Sequence, residues 1–208
     1  RCPITPFCAT ITACKPQLRP EPTQAPDTEP ATTTTVPEAP FLEPTEPEPA
    51  LEPTSEPMTF VDGLERTVVL ERPAQRIVSL APSNTEILFA LGAGSQVVGR
   101  DELSDYPSEA MEVSSVGNTY GDLNTEAIVD LDPDLVMLAQ INNPEHVAIL
   151  EDLGLTVYYL SNPMGFDALY ENLRIVGLLT GQEQSAEELS QELDQRVQAV
   201  LQSVEGAA

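Results

Sequence analysis

The composition of this chain excludes several classes of protein. Its 208 residues are 41% hydrophobic, which is enough for one ordinary domain with part of the chain left over. No stretch approaches the roughly 20 consecutive apolar residues that a membrane-spanning helix needs. The formal net charge of -25, from 34 acidic and 9 basic residues, argues against a nucleic-acid partner, because phosphate binding needs clustered Lys and Arg.

Residues 1–15, "RCPITPFCATITACK", hold all 3 cysteines of the chain. The stretch "ITAC" that ends at Cys14 resembles a bacterial lipobox, in which a small residue precedes a cysteine that becomes lipid-modified. We therefore predict a signal-peptide remnant over residues 1–15 and a lipid anchor to a membrane at Cys14. A disulfide between two of the three cysteines, or a metal site, is the alternative.

Residues 16–57 form a Pro/Thr/Glu-rich segment with almost no periodic apolar residues. Such a segment cannot bury enough surface to offset the entropy of ordering, so we predict a disordered linker. Frequent prolines and mutually repelling carboxylates favour an extended, semi-rigid spacer. A disordered tail without a task is the alternative.

From residue 58 onward the sequence is typical of an α/β domain. Two strand-like runs flank Asp62-Gly63, a dipeptide suited to a tight hairpin turn. The apolar run "RIVSLA" at 76–81 predicts a buried strand of a parallel sheet. Ser83 and Glu86 fit a capping box for the helix that follows, which Gly92 ends.

Strands and helices then alternate to the end of the chain. This order predicts right-handed βαβ units and one Rossmann-like parallel sheet flanked by helices over 58–182. A long striped helix follows over 183–208, with a second capping box at Ser185 and Glu188. The remaining predicted strands are 96–99, 134–139 and 155–160, and the remaining predicted helices are 123–131, 143–153 and 165–180.

The segment Pro82, Ser83, Asn84 and Thr85 lies where an open α/β sheet places its ligand site, beyond the carboxyl end of a strand. Free backbone N–H groups at the start of the helix, together with these side chains, could face a ligand. On local chemistry alone, a simple capping role for Ser83 explains the same residues.

Two longer stretches resemble a known family. They are "PAQRIVSLAPSNTEILFALGAGSQVVGRDELSDYP" and "VGNTYGDLNTEAIVDLDPDLVMLA". Together they look like the amino-terminal lobe of the cobalamin and ferric-siderophore substrate-binding proteins that serve ABC importers. The resemblance implies two α/β lobes joined by a long spine helix, here the helix at 183–208, with the ligand held between the lobes. Because the sequence stops at Ala208, we expect the second lobe to be absent from this chain.

The resemblance also implies site residues. It assigns ligand contacts to Pro82–Thr85, to Leu103, and to Thr119 and Tyr120 of the Gly-rich loop. Leu103 and Ala139 stand where cobalamin binders can carry aromatic residues, and the chain has no tryptophan. The ligand therefore stays open among a corrinoid, a ferric siderophore, heme and another metal chelate.

The resemblance implies a second partner, the ABC permease. Glu126, in "DLNTEAIVDL", matches the acidic residue that pairs with permease arginines, although a glutamate in the first turn of a helix is also explained by the helix dipole. The expected location is extracytoplasmic, either periplasmic or anchored to the membrane as a lipoprotein.

The sequence offers little for catalysis, and we expect a binding protein without a resident cofactor or metal rather than an enzyme. His146 is the only histidine, on what looks like the exposed start of a helix, so neither a His-rich metal site nor a Ser-His-Asp triad is available. Two alternatives stay open. One is an enzyme or nucleotide-binding domain on a similar sheet, and the other is a structural surface lipoprotein presented on its Pro-rich stalk.

Overall fold

A computed structural model describes residues 57–205. The predicted signal-peptide remnant, the lipidation of Cys14, the Pro-rich linker up to residue 56 and the last three residues lie outside the described part of the chain.

The described region opens with a two-stranded antiparallel hairpin. Strand β1 spans Met58–Val61 and strand β2 spans Thr67–Leu70, with Met58 opposite Leu70. The inner-facing Val68 and Leu70 of β2 are buried in one of the two apolar cores. The hairpin predicted from the two apolar runs is therefore confirmed.

The predicted tight turn at Asp62-Gly63 is wrong. The connection is a loop over residues 62–66, and its left-handed residue is Glu65, with φ of 60°. The Asp62 carboxylate closes this loop by accepting the backbone N–H groups of Leu64 at 2.9 Å and Arg66 at 3.0 Å. A side chain that bonds its own loop removes the need for a two-residue turn.

The main sheet has four parallel strands in the order β4-β3-β5-β6. The two inner strands, β3 and β5, are buried along their whole length, which explains their continuous apolar sequences. This confirms the predicted α/β class with a parallel sheet. The strands are β3 Ile77–Ser79, β4 Val97–Arg100, β5 Leu135–Ala139 and β6 Val157–Leu160.

Helices cover both faces of the sheet. Alternate strand residues point into two apolar cores, one shared with helices α1, α4 and α5 and the other with α2 and α3. Short 3₁₀ turns lie at Gly94–Gln96 and Ser108–Glu112. The helices are α1 Pro82–Ala90, α2 Thr125–Asp130, α3 Glu145–Asp152, α4 Phe166–Thr180 and α5 Glu183–Glu205.

Both predicted capping boxes are wrong. Helix α1 begins at Pro82 after Ala81, so Ser83 is already helical, and no side chain caps the helix. Proline suits that first position because its φ is fixed near the helical value and it has no N–H to leave unpaired. Ser185 likewise lies inside α5, which begins at Glu183.

Helices α4 and α5 form a tight antiparallel pair. Gly181, with φ of 73°, ends α4 in the left-handed conformation. A Cβ on Gly177 would lie 2.7 Å from the Cβ of Ala186. The two helix backbones therefore approach each other more closely than a pair of side chains at this contact would allow. Ala186 and Ser190 are buried in α5, whereas Val200 and Val204 are 61% and 56% exposed. The predicted long helix is present, and its role as an inter-lobe spine stays a prediction.

His146 is not exposed, contrary to the sequence-based expectation. It lies in the first turn of α3 and is 6% exposed, and its Nδ1 atom has no hydrogen-bond partner. The apolar neighbours in sequence that follow the helical period, Val147 and Leu150, are buried with it.

Candidate functional site

A buried polar network joins the carboxyl ends of β3 and β4. The hydroxyl of Thr85 donates to Ser79 Oγ at 2.8 Å and lies 2.9 Å from Ser104 Oγ. Ser104 in turn donates to the carboxylate of Asp101, whose other oxygen accepts the N–H of Leu103 at 2.9 Å. The network thus fixes α1 relative to the loop that presents Leu103.

A second buried network holds the loops after β3 and β5 together. The carbonyl oxygen of Leu80 accepts hydrogen bonds from Thr119 Oγ1 and Asn142 Nδ2, both at 2.9 Å. Asn142 Oδ1 accepts the N–H of Ala139 at 2.8 Å. Thr119 and Asn142 are each about as buried as core residues, at 1% and 2% exposed. These hydrogen bonds attach the Gly-rich loop that carries Tyr120 to the carboxyl end of β3.

A cavity of about 230 Å³ lies between α1, the carboxyl ends of β5 and β6, and the first half of α4. Its apolar wall comes from α1, β5, β6 and α4, and its neutral polar wall comes from α1, the loop after β6, and α4. Ala139, at the end of β5, lines the cavity. The neutral polar lining residues include Ser83, Asn84, Asn162 and Asn172.

Asn84 is an exception to the rule that buried polar groups are paired. It is 0% exposed and lines the cavity, and neither its Oδ1 nor its Nδ2 has a hydrogen-bond partner. Leaving a buried amide unpaired costs about 1–3 kcal/mol. The unpaired amide at the wall of a cavity makes Asn84 a candidate binding residue.

Apolar side chains are exposed on the loops around the cavity and its edge of the sheet. Each comes from a segment that follows a strand, so they share one edge of the sheet. Met164, at 96%, is almost fully exposed. The five are Leu103, Tyr120, Ile141, Met164 and Phe166. Solvent exposure of this many large apolar groups at one edge is typical of a binding surface.

The charges of this edge are negative or already paired. Arg100 ends β4 but is buried, and its guanidinium donates to the carbonyl oxygens of Ala110 at 2.8 Å and Asp101 at 2.9 Å. The acidic Glu86 lines the cavity, and Glu102 and Asp105 are exposed on the loop beside Leu103. Within residues 57–205 no group of three His, Cys, Asp or Glu is placed to hold a metal ion.

The structure separates the predicted site residues into two groups. Ser83, Leu103 and Tyr120 are exposed, Pro82 is half-buried, and Asn84 lines the cavity. Thr85 and Thr119 are buried, and their hydroxyls bond to the protein itself. We therefore assign them a positioning role instead of a ligand contact. Glu126 is exposed in the first turn of α2, after the cap that Asn124 makes to Ala127 N at 3.2 Å.

Sequence reasoning missed the contribution of the loops after β5 and β6. Ile141, Asn162 and Met164 lie there, and Asn162 N donates to Gln140 Oε1 at 3.2 Å, which joins the two loops. The rule that ligands bind beyond the carboxyl ends of strands pointed to these segments. That rule holds for the segments after β5 and β6 as it does for the segment after β3.

The hairpin turn packs against β6, the outer strand of the main sheet, beside the candidate site. It covers edge strand β6, where Gly63 N donates to Tyr159 O at 2.7 Å and Asp62 Oδ2 accepts Tyr159 N at 3.3 Å. Arg66 donates to Val157 O at 3.1 Å. Burial, with a contribution from the Asp62 carboxylate, raises the pKa of Tyr159. The covered strand leads into the Ser161–Pro163 segment of the cavity wall.

These features define an open α/β lobe with a candidate binding site at the carboxyl edge of its sheet. Comparison with known proteins identifies the group: a family model described as periplasmic binding protein matches residues 77–207, and the chain belongs to that family. The family consists of substrate-binding proteins rather than of enzymes.

Three relatives show how far the similarity extends. An uncharacterized ABC transporter substrate-binding lipoprotein of Bacillus subtilis, YvrC, is 34% identical over 136 residues, which are 64% of this chain and 43% of that protein. The vitamin B12-binding protein of Vibrio cholerae is 35% identical over 127 residues, covering 61% of this chain and 45% of its own. The crystal structure of a periplasmic heme binding protein from Pseudomonas aeruginosa superposes with a TM-score of 0.57 at 32% identity, over 61% of this chain and 45% of that one.

The chain therefore spans less than half the length of the curated relatives it matches. Such coverage is expected for one lobe of a two-lobed protein. Within residues 57–205, no helix has both the length and the apolar character needed to cross a membrane.

Proposed function

We propose that this chain is part of the substrate-binding component of an ABC importer and captures a metal chelate such as a corrinoid, a ferric siderophore or heme. The observation that carries the proposal is the unpaired Asn84 amide at the cavity wall, at the carboxyl edge of a sheet whose family binds substrates for transport. The named relatives bind vitamin B12 and heme.

The ligand would rest on the exposed apolar side chains at this edge. A large planar or globular chelate needs most of its surface covered, and Leu103 and Tyr120 on one side with Met164 and Phe166 on the other supply apolar area. Thr85 and Thr119 lie behind the contact residues, and their hydrogen bonds fix the loops that carry those residues. Ser83 and Asn84 supply the polar groups that orient the ligand.

Glu126 would serve the second step, delivery to the permease. Helix α2 ends near the amino edge of the sheet, where Asp134 N bonds to Arg76 O at 2.9 Å, so its first turn points toward the carboxyl edge. The exposed carboxylate of Glu126 then stands on the same side as the bound ligand. Arginines of a permease could pair with it when the loaded lobe docks.

Anchoring at Cys14 completes the proposal. A lipid on this residue, followed by the Pro-rich segment 16–57, would place the binding lobe outside the cytoplasm within reach of the permease. The similarity to a substrate-binding lipoprotein of Bacillus subtilis supports this arrangement.

The proposal is tested by titrating the full-length gene product, by calorimetry, with cyanocobalamin, ferric hydroxamate chelates and heme. We expect at least one to bind in the micromolar range or tighter, about -8 kcal/mol, with a loss of binding in a Leu103→Asp, Met164→Asp double variant. Exposed Val129, in α2 and not among the residues that line the cavity, provides the control as Val129→Asp. Binding by none of the chelates would contradict the proposed function.

A further inference from the structure

The polar groups that line the cavity are almost all neutral. The neutral polar residues contribute two hydroxyls, from Ser83 and Ser161, and three amides, from Asn84, Asn162 and Asn172. Glu86 is the one ionisable residue among the lining residues that the structure describes. The rest of the lining is apolar. None of the six arginines between residues 57 and 205 lines the cavity, and no lysine lies in that range. An anionic group placed there would find no cation to replace its hydration.

Asn84 has a donor atom, Nδ2, and an acceptor atom, Oδ1, and both lack partners. A ligand carboxamide has the complementary pair, because its oxygen accepts from Nδ2 while its N–H donates to Oδ1. A ligand carboxylate can use only the donor, and it places a second negative oxygen beside Oδ1 and the Glu86 side chain. Asn84 is 0% exposed and borders the cavity, so a ligand group held in the cavity is the partner that we assign to its amide.

The other amides of the cavity differ from Asn84. Asn172 Nδ2 already donates to Ser161 O at 2.8 Å. Asn162 is exposed, so water satisfies its side chain. Asn84 is therefore the residue whose hydrogen bonds are gained, rather than exchanged, when a ligand group arrives.

We infer that this cavity receives an uncharged amide or hydroxamate arm of the ligand, and that Asn84 pairs with it and so selects neutral or cationic amide-bearing chelates over chelates with a carboxylate periphery. This inference rests on the proposed function and names the ligand class for the same site. The volume of about 230 Å³ admits an arm of several heavy atoms, since one water occupies about 30 Å³ of the liquid.

The test compares ligands that differ in charge. The full-length protein is titrated with cyanocobalamin and with its monocarboxylic acids, in which one side-chain amide is hydrolysed, and with ferrioxamine B against heme and a ferric tricatecholate. We expect an amide-bearing ligand to bind most tightly and, within a matched pair, the amide to bind about tenfold or more tightly than the acid, as two neutral hydrogen bonds predict.

Asn84→Leu, which keeps the branched shape and has two methyl groups in place of the amide oxygen and nitrogen, should lower affinity for the amide ligand about tenfold and bring the amide and acid members of a pair close together. Asn162→Leu, on the same wall, should keep the preference. Thermal unfolding of both variants shows that the fold is retained.

The outcomes separate this inference from the proposed function. Tightest binding by a carboxylate-bearing chelate, or an unchanged preference in Asn84→Leu, overturns the assignment of Asn84 and leaves the transport function standing. No binding by any ligand of the panel overturns both.

Discussion

The backbone N–H of Gly63 donates a 2.7 Å hydrogen bond to the carbonyl oxygen of Tyr159, so the turn of the first hairpin covers the outer edge of the main sheet. Edge strand β6 would otherwise offer unpaired backbone groups to another chain. The contact needs a residue without a side chain, because a Cβ on Gly63 would lie 2.2 Å from Ser161 Oγ and 2.9 Å from Tyr159 O.

Replacing Gly63 should therefore destabilise the protein. Gly63→Ala forces the turn away from β6 and should lower the free energy of unfolding by about 2–3 kcal/mol, measured by urea denaturation. Gly121→Ala is the matched control, since no atom lies within 4 Å of the added Cβ there. Equal losses of stability in the two variants would show that the close approach of Gly63 to β6 does not contribute to stability.

The pair of helices α4 and α5 allows a second test. Gly177→Ala places two methyl groups 2.7 Å apart and should separate the helices, at a cost that exceeds the roughly 1 kcal/mol gained in helix propensity. Adding Ala186→Gly removes one of the two methyl groups and should recover part of the loss. A double-mutant cycle should give a coupling energy of about 1 kcal/mol, and a cycle without coupling would contradict the packing argument.

The Asn84 side chain should lower the free energy of unfolding when no ligand is bound. Because its buried amide has no partner, Asn84→Leu should raise the free energy of unfolding by about 1 kcal/mol while it weakens ligand binding. Urea denaturation without ligand measures this difference. Thr85→Val, which removes a hydroxyl bonded to Ser79 and near Ser104, should have the opposite effect on stability. A loss of stability in Asn84→Leu would indicate a structural role for the amide.

The pH dependence of stability should report on Tyr158. Burial raises the pKa of Tyr158 to about 12, with the Asp62 and Glu171 carboxylates adding to the effect. In the unfolded chain a tyrosine ionises near pH 10, so the folded state holds this proton more tightly. The resulting stabilisation is complete below about pH 10 and is lost as the pH rises through about 12.

Tyr158→Phe should therefore show a smaller fall in the free energy of unfolding between about pH 9 and about pH 12, as measured by urea denaturation at each pH. The exposed Tyr106 gives the control variant Tyr106→Phe, whose curve should follow that of the parent protein. Parallel curves for Tyr158→Phe and the parent would contradict the assignment.

The Glu126→Gln variant distinguishes a role in permease docking from a role in ligand binding. Glu126→Gln should leave ligand affinity unchanged and alter stability by only about 0.3–1 kcal/mol, the value of a charge in the first turn of a helix. Transport in vesicles that contain the permease should fall several-fold, because a docking pair is lost. Glu183→Gln removes a similar first-turn carboxylate from α5, at the opposite edge, and should not change transport. Parental transport by Glu126→Gln would leave this residue as a helix-start carboxylate.

The sequence was sufficient to predict the class of fold and the region of the site. The apolar runs "IVSL" and "LVML" are typical of strands buried on both faces, and the helical patterns between them supply the cover for those faces. The parallel sheet was therefore predictable from this alternation. The order of short motifs around Pro82–Thr85, Tyr120 and Glu126 led to the family that the comparison over residues 77–207 shows.

The tertiary structure decided which of these residues face a ligand and which face the protein. Ser83, Asn84 and Thr85 are neighbours in the first turn of α1, yet one is exposed, one lines a cavity without partners, and one bonds to Ser79. Helical geometry turns successive side chains by about 100°, so local sequence shows that they diverge but not what each one meets. Thr85 meets Ser104, Leu80 meets Asn142, and Asn172 meets Ser161. The members of each pair come from different segments of the chain, and only the packed sheet brings them together.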